Sequence, residues 1–196
     1  MLEHGLSTIS QHNTAYPSSV LRRLGDKMPA GLTAIGNVEI LKNKSLAVIS
    51  SVKCPGHIIL KTYDLMKQLR DAGGTVIGGF HSPMEQECLN ILLKGKQPII
   101  VCPARSLEGM RIKAEFKKPL EDGRLLILSP FVAKHNRISA ERAEYRNRFV
   151  AALADEMFVP YAAPGSKTEL LCAEAARWSK SVVRLDLGDT LQLAAC

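Results

Sequence analysis

Apolar residues along this chain alternate between short unbroken runs and longer stretches of helical spacing. Residues 45–51 read Ser45-Leu46-Ala47-Val48-Ile49-Ser50-Ser51, an apolar run that stops at two small hydroxyl residues. Such a run suits a parallel strand covered on both faces, since neither face has to meet water. Comparable runs recur at 75–77, 98–102, 125–129, 157–161 and 181–185. Between the first two, Ile58, Ile59, Leu65, Met66 and Leu69 fall on one helical face, and Gly73-Gly74 ends the segment. Further helices are predicted over 84–93, 106–115, 140–154 and 169–177. Strand and helix alternate throughout, which predicts an α/β fold built on an open, mostly parallel sheet.

The first 41 residues differ from the rest. Tyr16-Pro17 leads into a short helical segment in which Val20, Leu21 and Leu24 share a face, with Ser18 or Ser19 as N-cap and Gly25 closing it. Pro29, Gly31 and Gly36 break the next stretch into turns, before Val38-Glu39-Ile40-Leu41. Residues 1–41 are therefore expected as an N-terminal extension packing on a core domain of residues 42–196.

Composition narrows the classes. With 196 residues, 46% hydrophobic and 23% charged, the chain has the balance of a globular protein with a real core. No apolar run approaches the roughly 20 residues of a spanning helix, and residues 1–17 lack the apolar centre of a signal peptide. A cytoplasmic protein away from membranes is expected. Cys54, Cys88, Cys102, Cys172 and Cys196 are widely spaced and form no CxxC pair, which supports neither a disulfide framework nor a zinc site. Cys88, Cys102 and Cys172 sit among apolar neighbours and read as small buried residues. The net charge of +7 favours an anionic partner, and 5% aromatic residues leaves little for base stacking on a planar platform, so phosphate contacts would carry most of any nucleic-acid affinity.

In open α/β sheets ligands bind beyond the carboxyl ends of the strands. Those ends carry Ser50, Ser51 and nearby Lys53; Gly78 and Gly79; Arg105; and the loop into Gly165, Ser166 and Lys167. A helix start preceded by Gly-Ser offers unpaired N–H groups and a positive dipole end to an anion, or is an ordinary terminus capped by Ser166; both can hold together. Gly78 and Gly79 permit close backbone approach of a ligand, or a tight turn. Arg146 and Arg148, flanking Asn147, could place charge-assisted bonds on phosphate, or lie on a solvated face paired with Glu141 and Glu144. His81 lacks a carboxylate partner in sequence and reads as structural. No GxGxxG pattern is present, so no dinucleotide cofactor is expected.

In the order of these motifs the chain resembles the DprA/Smf family of bacterial DNA-processing proteins, over residues 16–185. The lead-in matches in Tyr16-Pro17, Leu21, Leu24, Pro29, Leu32, Gly36-Asn37 and Ile40-Leu41. The family's Arg-Asn-Arg signature corresponds to Arg146-Asn147-Arg148 with its apolar continuation Phe149 to Leu153, and its Ser-Gly-Ser/Thr turn is similar to Pro164-Gly165-Ser166. Departures are specific. The first strand ends Ser50-Ser51-Val52 where the family usually has Gly-Ser-Arg, and Cys88-Leu89 replaces an Ala-His pair, while Glu85 keeps an acidic position. No counterpart of the winged-helix tail of longer members is expected within residues 1–196.

The resemblance implies a Rossmann-like core that holds single-stranded DNA at the sheet's carboxyl edge, a RecA-type recombinase as partner, and a homodimer. Two alternatives stay open. Pro164-Gly165-Ser166-Lys167-Thr168-Glu169 partly echoes the Pro-Gly-Gly-x-Gly-Thr-x-x-Glu signature of LOG-type nucleoside-monophosphate phosphoribohydrolases, and a nucleotide-binding sensor would use the same crevice.

Overall fold

Residues 5–132 and 139–187 are described by the structure, a computed structural model; Cys196 lies outside them. The element order is β1 (Ser7–Ser10), α1 (Ser18–Leu24), β2 (Gly31–Gly36), β3 (Ser45–Val48), α2 (Gly56–Ala72), β4 (Thr75–Gly78), α3 (Pro83–Leu93), β5 (Ile99–Val101), α4 (Ala114–Glu121), β6 (Leu125–Ser129), α5 (Ala140–Leu153), β7 (Glu156–Val159), α6 (Lys167–Arg177) and β8 (Val182–Arg184). The strands form one sheet in the order β1-β2-β6-β5-β4-β3-β7-β8. From β6 to β8 every pairing is parallel, and β1 and β2 close one edge antiparallel. This is a Rossmann-like α/β fold.

The continuous apolar runs are the buried parallel strands the pattern predicted. Alternate residues of each strand feed two separate cores. Ala47, Ile77, Ile100, Leu126 and Met157 face α1, α5 and α6. Val48, Val76, Ile99, Leu125 and Phe158 face α2, α3 and α4. The helix starts follow local chemistry: Ser82, Ser139 and Ser166 each accept a bond from the third residue of the helix they cap, and Pro83 opens α3 where its missing N–H has no partner to lose.

Two expectations are corrected. The turns expected after Pro29 are instead β2, because Gly31 and Gly36 sit at its ends and the residues between alternate across the sheet, Leu32 and Ala34 to one core and Ile35 to the other. The helix expected over 106–115 forms later, as α4, because Phe116 and Leu120 supply the apolar pair at helical spacing and Pro119 is buried beside them. The first 41 residues thus add two strands and α1 to the sheet and its packing. Tyr16 is buried and its hydroxyl donates to the Pro29 carbonyl at 2.7 Å.

From β3 the chain steps outward through β4, β5 and β6, then returns by α5 to place β7 on the other side of β3. The strand order therefore reverses between β3 and β7. At such a reversal the connections leave the sheet in opposite directions and open a crevice at the carboxyl edge. At the opposite end of α5 the last carbonyls are satisfied by cations. The Arg23 guanidinium donates to the carbonyls of Ala152 and Ala154 at 2.7 Å each, and the buried Lys180 ammonium donates to Ala154 as well. Among the described residues no helix is long and apolar enough to cross a membrane.

Burial, reinforced by Arg23, pulls Lys180 down to about 8 from an ordinary 10.5. Between those pH values the unfolded chain binds more protons at this position than the folded one, so the Lys180 contribution to stability rises with pH across the window. Buried thiols and phenols push the other way, which makes a difference measurement the useful one. Wild type is expected to gain urea stability relative to Lys180→Met as pH is raised from 8 to 10. A constant difference over that range would contradict the burial of this ammonium.

Candidate functional site

The floor of the crevice is built on a buried carboxylate. Glu85, on the first turn of α3, accepts the Ser50 N–H at 3.0 Å and the His81 N–H at 2.9 Å. One side chain thereby ties the segment after β3 to the segment after β4. Beside it, Arg146 rises from α5 with only 3% of its surface exposed. Its Nη1 donates to the Cys102 carbonyl beyond β5, and its Nε donates to Asn147 Oδ1, both at 2.8 Å. Burial pulls the Arg146 guanidinium below its usual value, and the charge of Glu85 pushes it back up. The carboxyl ends of β3, β4 and β5 are thus joined by one anion and one cation beneath the site.

The walls come from α5, α6 and the loop between β7 and α6. Ser51 accepts the Ala163 N–H at 3.0 Å, and its hydroxyl lies 3.3 Å from that of Ser166, so the β3 end is fastened to the α6 loop. Ser166 caps α6 by accepting the Glu169 N–H, and the Glu169 carboxylate reaches back to the Gly165 N–H at 2.7 Å. This is a capping-box arrangement displaced by one residue. Gly165 holds φ at +69°, a left-handed conformation that a side chain would strain even though the space around it is open. Two ion pairs bridge α5 and α6: Arg148 Nε to Glu174 at 2.6 Å, and Lys167 to Glu144 at 2.5 Å. Between these walls lies a cavity of about 700 Å³.

Of the residues singled out from sequence, Ser50, Ser51, Lys53, Arg146, Asn147, Arg148, Ser166 and Lys167 line this cavity, and Gly165 stands in the loop beside it. The others are elsewhere. Gly78 and Gly79 do make a close approach, but to the protein itself: a Cβ on Gly78 would meet the Phe80 ring at 3.0 Å, and one on Gly79 would lie 1.9 Å from Arg146 Nη1. Arg105 is in the loop after β5, where its Nε donates to the Ser106 carbonyl and its own carbonyl accepts from Ser129. The Arg146-Asn147-Arg148 motif also divides. Residues two apart on a helix point about 200° apart, so Arg146 turns into the buried floor while Arg148 faces α6. The pairing with Glu141 and Glu144 expected for a solvated face is replaced by pairing with Glu174.

Glu174 is the cavity-lining carboxylate that sequence reading passed over, and Glu144, read there as a partner for the arginines, pairs with Lys167 instead. Glu144 precedes Arg148 by four residues, a spacing that places both on one face of α5; Glu174 joins them only through the α5–α6 packing. Cys102 and Cys172 are buried as expected, and burial pushes their thiols up to about 12 and about 11, which keeps them protonated and unreactive at neutral pH.

The comparisons with known proteins converge on one group. A model of the family DNA recombination-mediator protein A matches residues 7–190. DNA processing protein A from Streptococcus pneumoniae superposes with a TM-score of 0.75 at 19% identity, over 91% of this chain and 62% of that one. The Helicobacter pylori protein of the same name, known for a single-stranded DNA binding mode, gives 0.71 at 19% identity, over 93% and 81%. A molybdenum cofactor binding protein from Rippkaea orientalis shares the fold more distantly, with a TM-score of 0.51 at 12% identity over 72% of this chain and 76% of its own. None of the curated proteins compared with the chain matches it. The chain spans less than two thirds of the S. pneumoniae protein and four fifths of the H. pylori one.

The contact between Gly79 and Arg146 generates a double-mutant test. Gly79→Ala forces the guanidinium off its place and is expected to cost about 1–3 kcal/mol, the usual range for overpacking. In an Arg146→Met background the same change should cost measurably less, because the obstructing group is gone. Equal costs of Gly79→Ala in both backgrounds, read from denaturant midpoints, would contradict the placement of Arg146.

Proposed function

We propose that this chain, which belongs to the DNA recombination-mediator protein A family, binds single-stranded DNA in the cavity between the carboxyl ends of β3 and β7. Arg148 and Lys167 carry the phosphate contacts, with Lys53 at the rim and the N–H groups at the start of α6 behind them. Arg146 serves this site from below, holding α5 to the strand ends, and Asn147 keeps its side chain in place. The observation that supports the reading most is the convergence of Arg148 and Lys167 on one cavity at the sheet's reversal point, each held by a carboxylate that phosphate can replace. The single-stranded DNA binding of the H. pylori relative points the same way.

A recess of this kind suits one strand better than two. A single backbone can descend into the crevice and turn its bases outward, whereas duplex phosphates sit on a stiff cylinder and reach only the rim. No base-pair readout is involved. The proposal extends to a cytoplasmic protein that self-associates as a homodimer and hands its DNA to a RecA-type recombinase. Light scattering of the purified chain reads the self-association, and a monomer at working concentration would remove it.

Phosphate binding here is an exchange. Glu174 and Glu144 occupy the cations in the absence of ligand, so part of each new charge-assisted bond is offset by an old one. Affinity of a single-stranded oligonucleotide is expected to exceed that of its duplex and to fall with salt at a log–log slope of about −0.7 per phosphate neutralised. Arg148→Ala combined with Lys167→Ala should weaken binding tenfold or more, since bonds to charged groups are worth roughly 1.5–3 kcal/mol each. Glu174→Gln should strengthen it severalfold, because it frees Arg148 from the carboxylate that holds it. Equal duplex binding, or weaker binding by Glu174→Gln, measured by fluorescence anisotropy, would contradict the exchange.

A further inference from the structure

The amino-terminal edge of the sheet carries a cavity of its own, of about 240 Å³, at the end opposite the site described above. Buried Ile100 and Leu153 form its floor. One wall is the start of α1, with Ser18 and Arg22, and the other is the segment 41–45 that leads into β3. Arg22, Lys42 and Lys44 line it against a single carboxylate among the described residues, Asp155. That carboxylate is already engaged, since its Oδ2 accepts the Ser45 N–H at 2.8 Å. Lys42 pairs with Glu39 at 2.5 Å. Among the described residues Arg22 and Lys44 have no hydrogen-bond or ion-pair partner. The carboxyl-edge cavity has the opposite balance, because Arg148 and Lys167 each hold a carboxylate there.

We infer that this amino-edge cavity is a second anion site, which takes free phosphate or a small phosphate monoester. The inference stands apart from nucleic-acid binding. Cations crowded into a small recess repel one another in the empty protein and focus their field on an incoming anion. Three cations against one carboxylate leave the lining with a net charge of +2, which a phosphate dianion neutralises. The crowding is felt beyond the cavity: burial lowers the Arg23 guanidinium, and Arg22 lowers it further while Asp155 opposes. Arg22 brings a planar fork suited to two phosphate oxygens, Lys44 brings a point charge from the facing wall, and Ser18 adds a hydroxyl donor. The volume is below the roughly 300–1,000 Å³ of sites for drug-sized ligands, so a compact anion fits where a whole cofactor does not. No aromatic ring is among the lining residues, and a nucleobase would find nothing to stack on. A bound phosphate would join α1 to the segment entering β3, fastening the first 41 residues to the parallel sheet.

Calorimetric titration with sodium phosphate, at neutral pH and low salt, tests the site in three proteins. Wild type and Arg148→Ala/Lys167→Ala, the control for the carboxyl edge, are expected to bind phosphate alike. Arg22→Ala/Lys44→Ala should bind it at least tenfold more weakly. Both of its positions are exposed, and its thermal midpoint without phosphate checks that it folds. A second readout needs no variant: phosphate should slow amide exchange at residues 18–22 and 41–45 of the wild type. Oligo-dT with a 5′-phosphate is expected to bind no better than oligo-dT with a 5′-hydroxyl. A 5′-phosphate preference that disappears in Arg22→Ala/Lys44→Ala would keep the site and make a strand end the source of its phosphate. Absence of saturable phosphate binding overturns the site, as does binding that folded Arg22→Ala/Lys44→Ala retains in full or that only Arg148→Ala/Lys167→Ala loses.

Discussion

Glu85 and Arg146 together hold the carboxyl edge of the sheet in one piece. Three strands end there with no ladder partner beyond them, and their trailing segments would diverge without a common anchor. Glu85 collects the N–H groups that follow β3 and β4, while Arg146 takes the carbonyl that follows β5 and leans on Gly79. Burying two charges is costly, and such a pair is stable only where hydrogen bonds satisfy the remaining groups on each. Here Glu85 accepts two backbone N–H groups, and Arg146 donates to one backbone carbonyl and to Asn147 Oδ1. The result is a rigid floor whose position is set by the core on either side.

Above that floor the electrostatics are of a different kind. The Lys167–Glu144 pair is exposed, where an ion pair is worth little to folding and is readily exchanged, and the Arg148–Glu174 pair is partly buried at the cavity wall. Stability and ligand chemistry are therefore separated by depth: the buried pair keeps its partners, and the upper pairs can trade theirs. A basic chain need not present bare positive charge to attract a polyanion. It can keep its cations neutralised and release them to a stronger competitor, which makes binding steeply dependent on salt and on the carboxylates themselves.

Much of this was legible in the sequence, and the exceptions have physical causes. Continuous apolar runs identify parallel strands well because both faces are buried, and the strand-end residues Ser50, Ser51, Ser166 and Lys167 follow from the fold's own geometry. β2 was obscured by glycines that mark its ends, and α4 by a loop whose apolar residues mimic a helix. Within the site, spacing puts Arg146 and Arg148 on opposite sides of α5, but which of the two turns into the floor depends on which face of the helix meets the sheet. Glu174 was invisible for the same reason: its role exists only once α6 packs on α5. Gly79 shows the limit most clearly, because a glycine that reads as room for a ligand is room for Arg146.

The central claim is that nucleic acid enters at the carboxyl edge between β3 and β7. Hydrogen exchange of backbone amides, with and without oligo-dT, tests it most directly. Slowed exchange is expected after β3, at residues 50–56, in the loop into α6, at residues 163–169, and on the first turns of α5. The opposite end of the sheet carries a smaller basic cavity lined by Arg22, Lys42 and Lys44, and its amides should be unaffected. Protection confined to that end, with the carboxyl edge unchanged, would contradict the account.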